Sequence, residues 1–144
     1  MEFSGKKVTV VGTGISGIGA VGLLNAGGAE VVLYDGNEKL KIEDIEKKLG
    51  TYKAEIVLGE LTKELTDSSD LLVISPGVPI DSPVVKAFEA AGVPVWGEVE
   101  LAYAFDKGKV LAITGTNGKT TTTALVGQIV GAYHKDTFVV GNIG

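Results

Sequence analysis

A chain of 144 residues, 44% hydrophobic and 22% charged, has the balance of a soluble globular protein, long enough for one domain or for one domain and part of another. A formal net charge of −5 excludes general binding to nucleic-acid backbones, which needs basic surface. The lack of cysteine excludes a disulfide framework and a thiolate metal site, and all 13 cationic residues are lysines, so the chain has no guanidinium fork of its own.

"KKVTVVG" (6–12) is a β-branched apolar run closed by glycine, which predicts a buried strand. "ISGIGAVGLLNAGG" (15–28) predicts a helix with small residues on one face, ended by glycine. A second strand is expected at 30–35 ("EVVLYD"), a charged amphipathic helix at 42–50, and a third strand at 54–59. A brief helix at "LTKELT" and a fourth strand and loop at 70–77 ("DLLVISPG") follow. "SPVVKAFEAAG" (82–92) predicts a helix with Ser82 as N-cap and Pro83 at its first position. "VPVWG" is a fifth strand with Trp96 in the core, and "EVELAYAF" (98–105) a closing helix. Strand and helix thus alternate for about 105 residues with continuous apolar strands, the pattern of a parallel sheet covered on both faces. Right-handed crossovers make this a doubly wound, Rossmann-like α/β domain.

"DKGK" (106–109) is polar and glycine-containing, a natural boundary that divides a domain at 1–106 from a second unit at 107–144. The second unit is expected to hold a strand at 110–114 ("VLAIT"), a phosphate loop, a helix at 120–132 and a strand at 137–140 ("TFVV"). Such a βαβ piece cannot bury both faces of a sheet, so it reads as the start of a larger domain. An unpaired edge after "TFVV" predicts self-association or docking of the tail on the first domain. The N-terminus lacks the basic, apolar, small-residue order of a signal peptide, and no apolar run approaches the ~20 residues of a membrane span, which predicts a cytoplasmic protein.

Two glycine motifs carry the chemistry. "VVGTGISG" places G-x-G-x-x-G at Gly12, Gly14 and Gly17, after a strand and opening a helix, with Asp35 at the end of the next strand. The glycines serve a tight turn, close approach to a nucleotide-type ligand and close helix–strand packing; a turn with no ligand would use them too. "ISPGVP" (74–79) lies at the carboxyl edge of the sheet, where Ser75 offers a hydroxyl and Gly77 an amide, either to a ligand or in a rigid turn. "TGTNGKTT" (114–121) is a shortened P-loop ending in Gly118, Lys119 and Thr120. The amides of Gly115, Thr116, Asn117, Gly118 and Lys119 can face phosphate oxygens at a helix N-terminus, and Lys119 can reach the outer phosphates. The Thr120 hydroxyl suits Mg²⁺, while Thr121 and the threonines after it serve packing or capping. His134, the only histidine, reads as a solvated residue at a helix end.

Two nucleotide-type loops in tandem, joined by "SPGVP" and "VPVWGEVELA", resemble the Mur ligase family of peptidoglycan synthesis over the whole chain. "AITGTNGKTTTTAL" is the family-wide part, and "ISPGVPIDSPVVKAFEAAGVPVWGEVELA" points to the member that adds D-glutamate. The resemblance implies that the first domain holds the uridine diphosphate of UDP-N-acetylmuramoyl-L-alanine. Gly14, Ile15, Ser16, Asp35, Ser75 and Gly77 would line that site, with Asn142 near the reacting end. It implies ATP-dependent amide formation through an acyl phosphate, with Gly115 to Thr121 on ATP, Lys119 and Thr120 as catalytic groups and Thr120 on magnesium. The remaining parts of such an enzyme would lie beyond this piece, which is then expected to be inactive alone, within a monomeric full-length ligase. A nicotinamide- or flavin-binding redox or regulatory module, or a non-catalytic nucleotide-binding adaptor, are the alternatives.

Overall fold

The computed structural model describes residues 3–141, and the chain falls into two compact units, Met1–Asp106 and Lys107–Gly144. In the first, five strands form one parallel sheet in the order β3-β2-β1-β4-β5. They are β1 (Lys7–Val11), β2 (Glu30–Asp35), β3 (Glu55–Leu58), β4 (Leu71–Ile74) and β5 (Val95–Gly97). The connecting helices are α1 (Ile15–Ala26), α2 (Ile42–Leu49), α3 (Lys63–Ser68) and α4 (Pro83–Ala90), with α5 (Glu98–Phe105) closing the unit. Because the strands run parallel, every connection is a crossover, and the order reverses between β1 and β4.

Alternation along the buried strands divides the core in two. Val8 and Val10, Val31 and Leu33, and Leu71 and Val73 face one side, where Val21 and Leu24 of α1, Ile45 and Leu49 of α2 and Leu101 of α5 cover them. Val11, Val32, Tyr34, Leu72 and Ile74 face the other, under Leu65 of α3 and Val85 and Phe88 of α4. Helices on both faces are the reason these strands show no polar alternation in sequence. Trp96 is partly buried against the first cluster, with Phe3 edge-on at 6.2 Å and Phe105 stacked on Phe3 at 5.0 Å.

The buried hydroxyls of Thr9 and Ser69 are both hydrogen-bonded. Ser69 Oγ donates to the Leu65 carbonyl at 2.7 Å, so at 2.8 Å the buried Thr9 hydroxyl must be the donor to Ser69. Thr62 caps α3, its hydroxyl accepting from the Leu65 amide at 3.3 Å. Ser82 stands at the N-cap of α4 as its sequence predicts, but it makes no side-chain cap: its Oγ is buried without a partner, and only its carbonyl joins the helix, accepting from Lys86 N at 3.1 Å.

Among its described residues the second unit holds one helix, α6 (Lys119–Tyr133). The strands expected at 110–114 and 137–140 are not formed; among the described residues neither segment has a ladder partner. A β-branched run becomes a strand only where a neighbouring chain supplies amides and carbonyls in register, so preference alone did not suffice. The edge expected after Val140 is accordingly not a strand edge. Val139 instead sits against α6 at Gly127, where any Cβ would collide with its Cγ2. His134 ends α6 and is exposed, as expected. Among the described residues no helix is long and apolar enough to cross a membrane.

Candidate functional site

The carboxyl ends of β1 and β4 bring together the loops at 12–17 and 75–79, where the strand order reverses and a crevice opens in folds of this kind. Gly12 N donates to the Tyr34 carbonyl at 2.9 Å and Ser75 N to the Val11 carbonyl at 3.2 Å, which carries the ladders to the rim. A Cβ on Gly12 would lie 2.9 Å from Ser75 Oγ, so the two loops are in direct apposition. Gly17 is buried against the Gly12 carbonyl; a Cβ there would collide with that oxygen. Of the three motif glycines, Gly17 is therefore the packing one.

Ser75 Oγ is buried and has no hydrogen-bond partner among the described residues. An unpaired buried hydroxyl is costly, so this atom is the polar group of the rim left wanting a partner. Ile15, the first residue of α1, is 95% exposed, an apolar side chain left uncovered at the mouth of the loop. Ser16 is half-buried, while Gly14 and Gly77 are exposed. The structure thus gathers Gly14, Ile15, Ser16, Asp35, Ser75 and Gly77 on one rim; Asn142 lies outside the described residues.

Asp35 is more engaged than its motif position suggests. Its Oδ2 accepts from Thr13 N at 3.2 Å and from Thr13 Oγ1 at 3.0 Å, and its Oδ1 accepts from Asn37 N at 3.0 Å. The carboxylate organises the glycine loop and keeps only part of its acceptor capacity for a ligand. Beside it the Tyr34 hydroxyl donates to the Gly59 carbonyl at 2.8 Å. Its pKa is raised, first by burial and then by the charge of Asp35. Sequence reasoning missed two members of this rim: Thr13, buried behind the loop, and Lys48, whose Nζ donates to the Thr13 carbonyl at 3.4 Å. Thr13 sits inside the motif and is legible as a loop threonine; nothing in the sequence marks Lys48, which only the packing of α2 beside α1 brings near.

A hollow elsewhere on the unit, lined by Gly22, Asn25, Glu30, Tyr52, Lys53 and Glu55, lies at the amino ends of β2 and β3. It is far from both loops, and its centre is structural: the Asn25 amide donates to the Lys53 carbonyl and accepts from Lys53 N, holding the segment before β3.

In the second unit, Gly118 adopts φ +73° and N-caps α6, a left-handed turn that glycine makes without steric cost. Lys119 Nζ folds back over the loop, donating to the Gly115 carbonyl at 2.6 Å and more weakly to Thr116 O at 3.5 Å. Gly115, Thr116, Asn117, Thr120 and Thr121 are exposed at the front of the helix. Ammonium, helix N-terminus and free hydroxyls thus share one end of α6, an arrangement suited to an anion.

A family model described as Mur ligase MurD-like, N-terminal domain, matches residues 6–97. The chain is 67% identical over 144 residues to UDP-N-acetylmuramoylalanine–D-glutamate ligase of Lachnospira eligens. It is 57% identical over 145 residues to the protein of the same name in Lachnoclostridium phytofermentans. Each alignment takes in 100% of this chain but 32% of the relative, so the chain spans about a third of their length. Among solved structures, a pseudomurein peptide ligase type C from Methanothermus fervidus superposes with a TM-score of 0.57 and 27% identity, over 88% of this chain and 26% of that one. SirC, a precorrin-2 dehydrogenase, has a TM-score of 0.51 at 15% identity over 93% of this chain and 69% of its own, a likeness of fold alone. With residues 6–97 matched to its N-terminal domain, the chain belongs to the MurD-like Mur ligase family.

Proposed function

We propose that the chain is part of an ATP-dependent ligase that joins D-glutamate to UDP-N-acetylmuramoyl-L-alanine in the cytoplasm. In this reading residues 1–106 hold the UDP portion of the substrate, and residues 107–144 begin the unit that holds ATP. The observation that carries it is the buried, partnerless Ser75 hydroxyl facing Gly12 at the β1/β4 crevice, beside the open first turn of α1. The Gly14–Ser16 turn offers amides and a hydroxyl to the diphosphate, and Ile15 gives the nucleoside an apolar surface to lie on. The nicotinamide alternative needs the acid at the end of β2 to be free for a ribose, whereas Asp35 already accepts three hydrogen bonds from Thr13 and Asn37.

The chemistry needs an activated acyl group, because a carboxylate is a poor acyl donor to an amine. An oxygen of the substrate's terminal carboxylate attacks the γ-phosphorus of ATP, ADP leaves, and an acyl phosphate forms. The amine of D-glutamate then attacks the acyl carbon, inorganic phosphate leaves, and the amine gives up a proton. Phosphoryl transfer depends mainly on positioning and charge neutralisation. Lys119 supplies a cation, and the amides from Gly115 to Lys119 supply oriented donors, with Thr121 behind them. Magnesium bound with the nucleotide would neutralise phosphate charge. The exposed Thr120 hydroxyl, at the front of α6, would be this chain's ligand to it.

The test is a titration of the chain with UDP-N-acetylmuramoyl-L-alanine and, separately, with NADH, followed by amide chemical shifts. The expected result is movement of Gly14, Ser16, Asp35 and Ser75 with the UDP-sugar alone. Movement of the same amides with NADH alone would overturn the reading in favour of a redox module.

A further inference from the structure

We infer that Lys48 is a ligand-binding residue of the glycine loop, the cation that meets the diphosphate there. This rests on the reading of that loop as a UDP site and adds to it a charge that no motif contains. The loop at 12–17 has no charged side chain, and α1 has no basic residue in its last turn or acidic residue in its first. The nearest formal charge it touches is negative: Asp35, held by Thr13 N and Thr13 Oγ1. Amide dipoles at a helix N-terminus favour an anion, but a multiply charged diphosphate arriving beside a carboxylate requires a compensating cation.

Lys48 is in place to be that cation. Ile45 and Leu49 sink α2 into the core cluster that also receives α1, so the two helices cover the same face of the sheet. Lys48, next to Leu49, emerges toward the loop, and its Nζ reaches the Thr13 carbonyl at 3.4 Å. Thr13 therefore bridges the two charges, its amide and hydroxyl on Asp35 and its carbonyl on Lys48. The neighbouring Lys47 does something different: it pairs with Asp44 at 3.3 Å, with side chains 77% and 61% exposed, an ordinary surface pair. Among the described residues Lys48 has no ion-pair partner, and it is the one cationic side chain that hydrogen-bonds the glycine loop. The bond to Thr13 is long for N–H···O, so little is lost when the ammonium, with two further protons and a flexible stem, turns to a phosphate oxygen.

The experiment measures binding of UDP and of uridine, which lacks the diphosphate, to the 144-residue chain and its Lys48→Met and Lys48→Arg variants. Lys48 is exposed, and an unchanged amide spectrum verifies the fold of each variant. Lys48→Met should weaken UDP about tenfold, the effect of a lost charge-assisted hydrogen bond, and leave uridine unchanged. Lys48→Arg should bind UDP as the parent does, and the salt dependence of UDP binding should be shallower in Lys48→Met alone. Equal UDP affinity in the parent and Lys48→Met overturns the role of Lys48 while the UDP site stands. Equal weakening of UDP and uridine also overturns it, because Lys48 would then only brace the loop. A parent chain that does not bind UDP overturns the site itself, and the inference with it.

Discussion

Thr13 and Tyr34 organise the rim from beneath, one under the loop after β1 and one at the end of β2. Tyr34 is 5% exposed, and its hydroxyl bonds the Gly59 carbonyl while Asp35 lies next in sequence. Burial and that charge both disfavour the phenolate and raise the pKa above the ordinary 10.0. The neutral form is thus the one the fold prefers. Its contribution is complete below pH 10 and is lost as pH rises through the higher folded value. Tyr34→Phe removes the bond and leaves Gly59 O unpaired, which should cost about 1 kcal/mol at neutral pH. Urea unfolding of the two proteins across the alkaline range checks this: the gap between them should narrow above pH 10. A gap that stays constant would mean that the Tyr34 proton plays no part. Ser75 and Gly17 show the other kind of residue effect, a hydroxyl without a partner and a glycine without room, both set by the apposition of Gly12.

Helix ends in this protein separate position from chemistry. α3 and α4 both begin after a hydroxyl residue, Thr62 and Ser82, yet only Thr62 caps with its side chain. Thr62→Ala should therefore destabilise the domain by about 1 kcal/mol, as N-cap losses do. Ser82→Ala removes a buried hydroxyl that bonds nothing, so it should be neutral or slightly stabilising. Denaturant midpoints of the two variants decide the matter, and a loss in Ser82→Ala equal to that in Thr62→Ala would mean that Ser82 caps α4 after all. Ser82 was legible as a cap because hydroxyl followed by proline is a sound helix-start signal. What it does not encode is the rotamer, which the surrounding packing chooses.

The two units differ in how much they bury. Both core clusters consist entirely of residues from the first unit, whereas α6 has no buried residue among those described. A helix of 15 residues with so little buried surface is marginal by itself, since most helical stability in proteins comes from packing. Residues 1–106 alone should consequently unfold cooperatively at the same denaturant midpoint as the 144-residue chain, within about 0.5 kcal/mol, the scatter of changes that touch no core. Hydrogen exchange should at the same time find slow amides in β1, β2 and β4 and fast ones in α6. A midpoint well below that of the longer chain would mean that residues 107–144 stabilise the first unit.

Composition, periodicity and two glycine motifs determined much of this molecule in advance. Apolar runs at 8–11 (interrupted only by Thr9), 31–34 and 71–74 pointed to a doubly covered parallel sheet, and G-x-G-x-x-G after the first strand to a tight turn into a helix. Those signals are local, so they survive without any knowledge of neighbours. Strand order, and with it the meeting of Ser75 with Gly12, was decided only by tertiary structure, because residues 63 positions apart share no local signal. The same holds for Lys48, which reaches Thr13 only because α1 and α2 pack on one face. At 110–114 and 137–140 the local preference for strand was plain and still did not prevail, since a strand exists only in its ladder and the described residues supply none there.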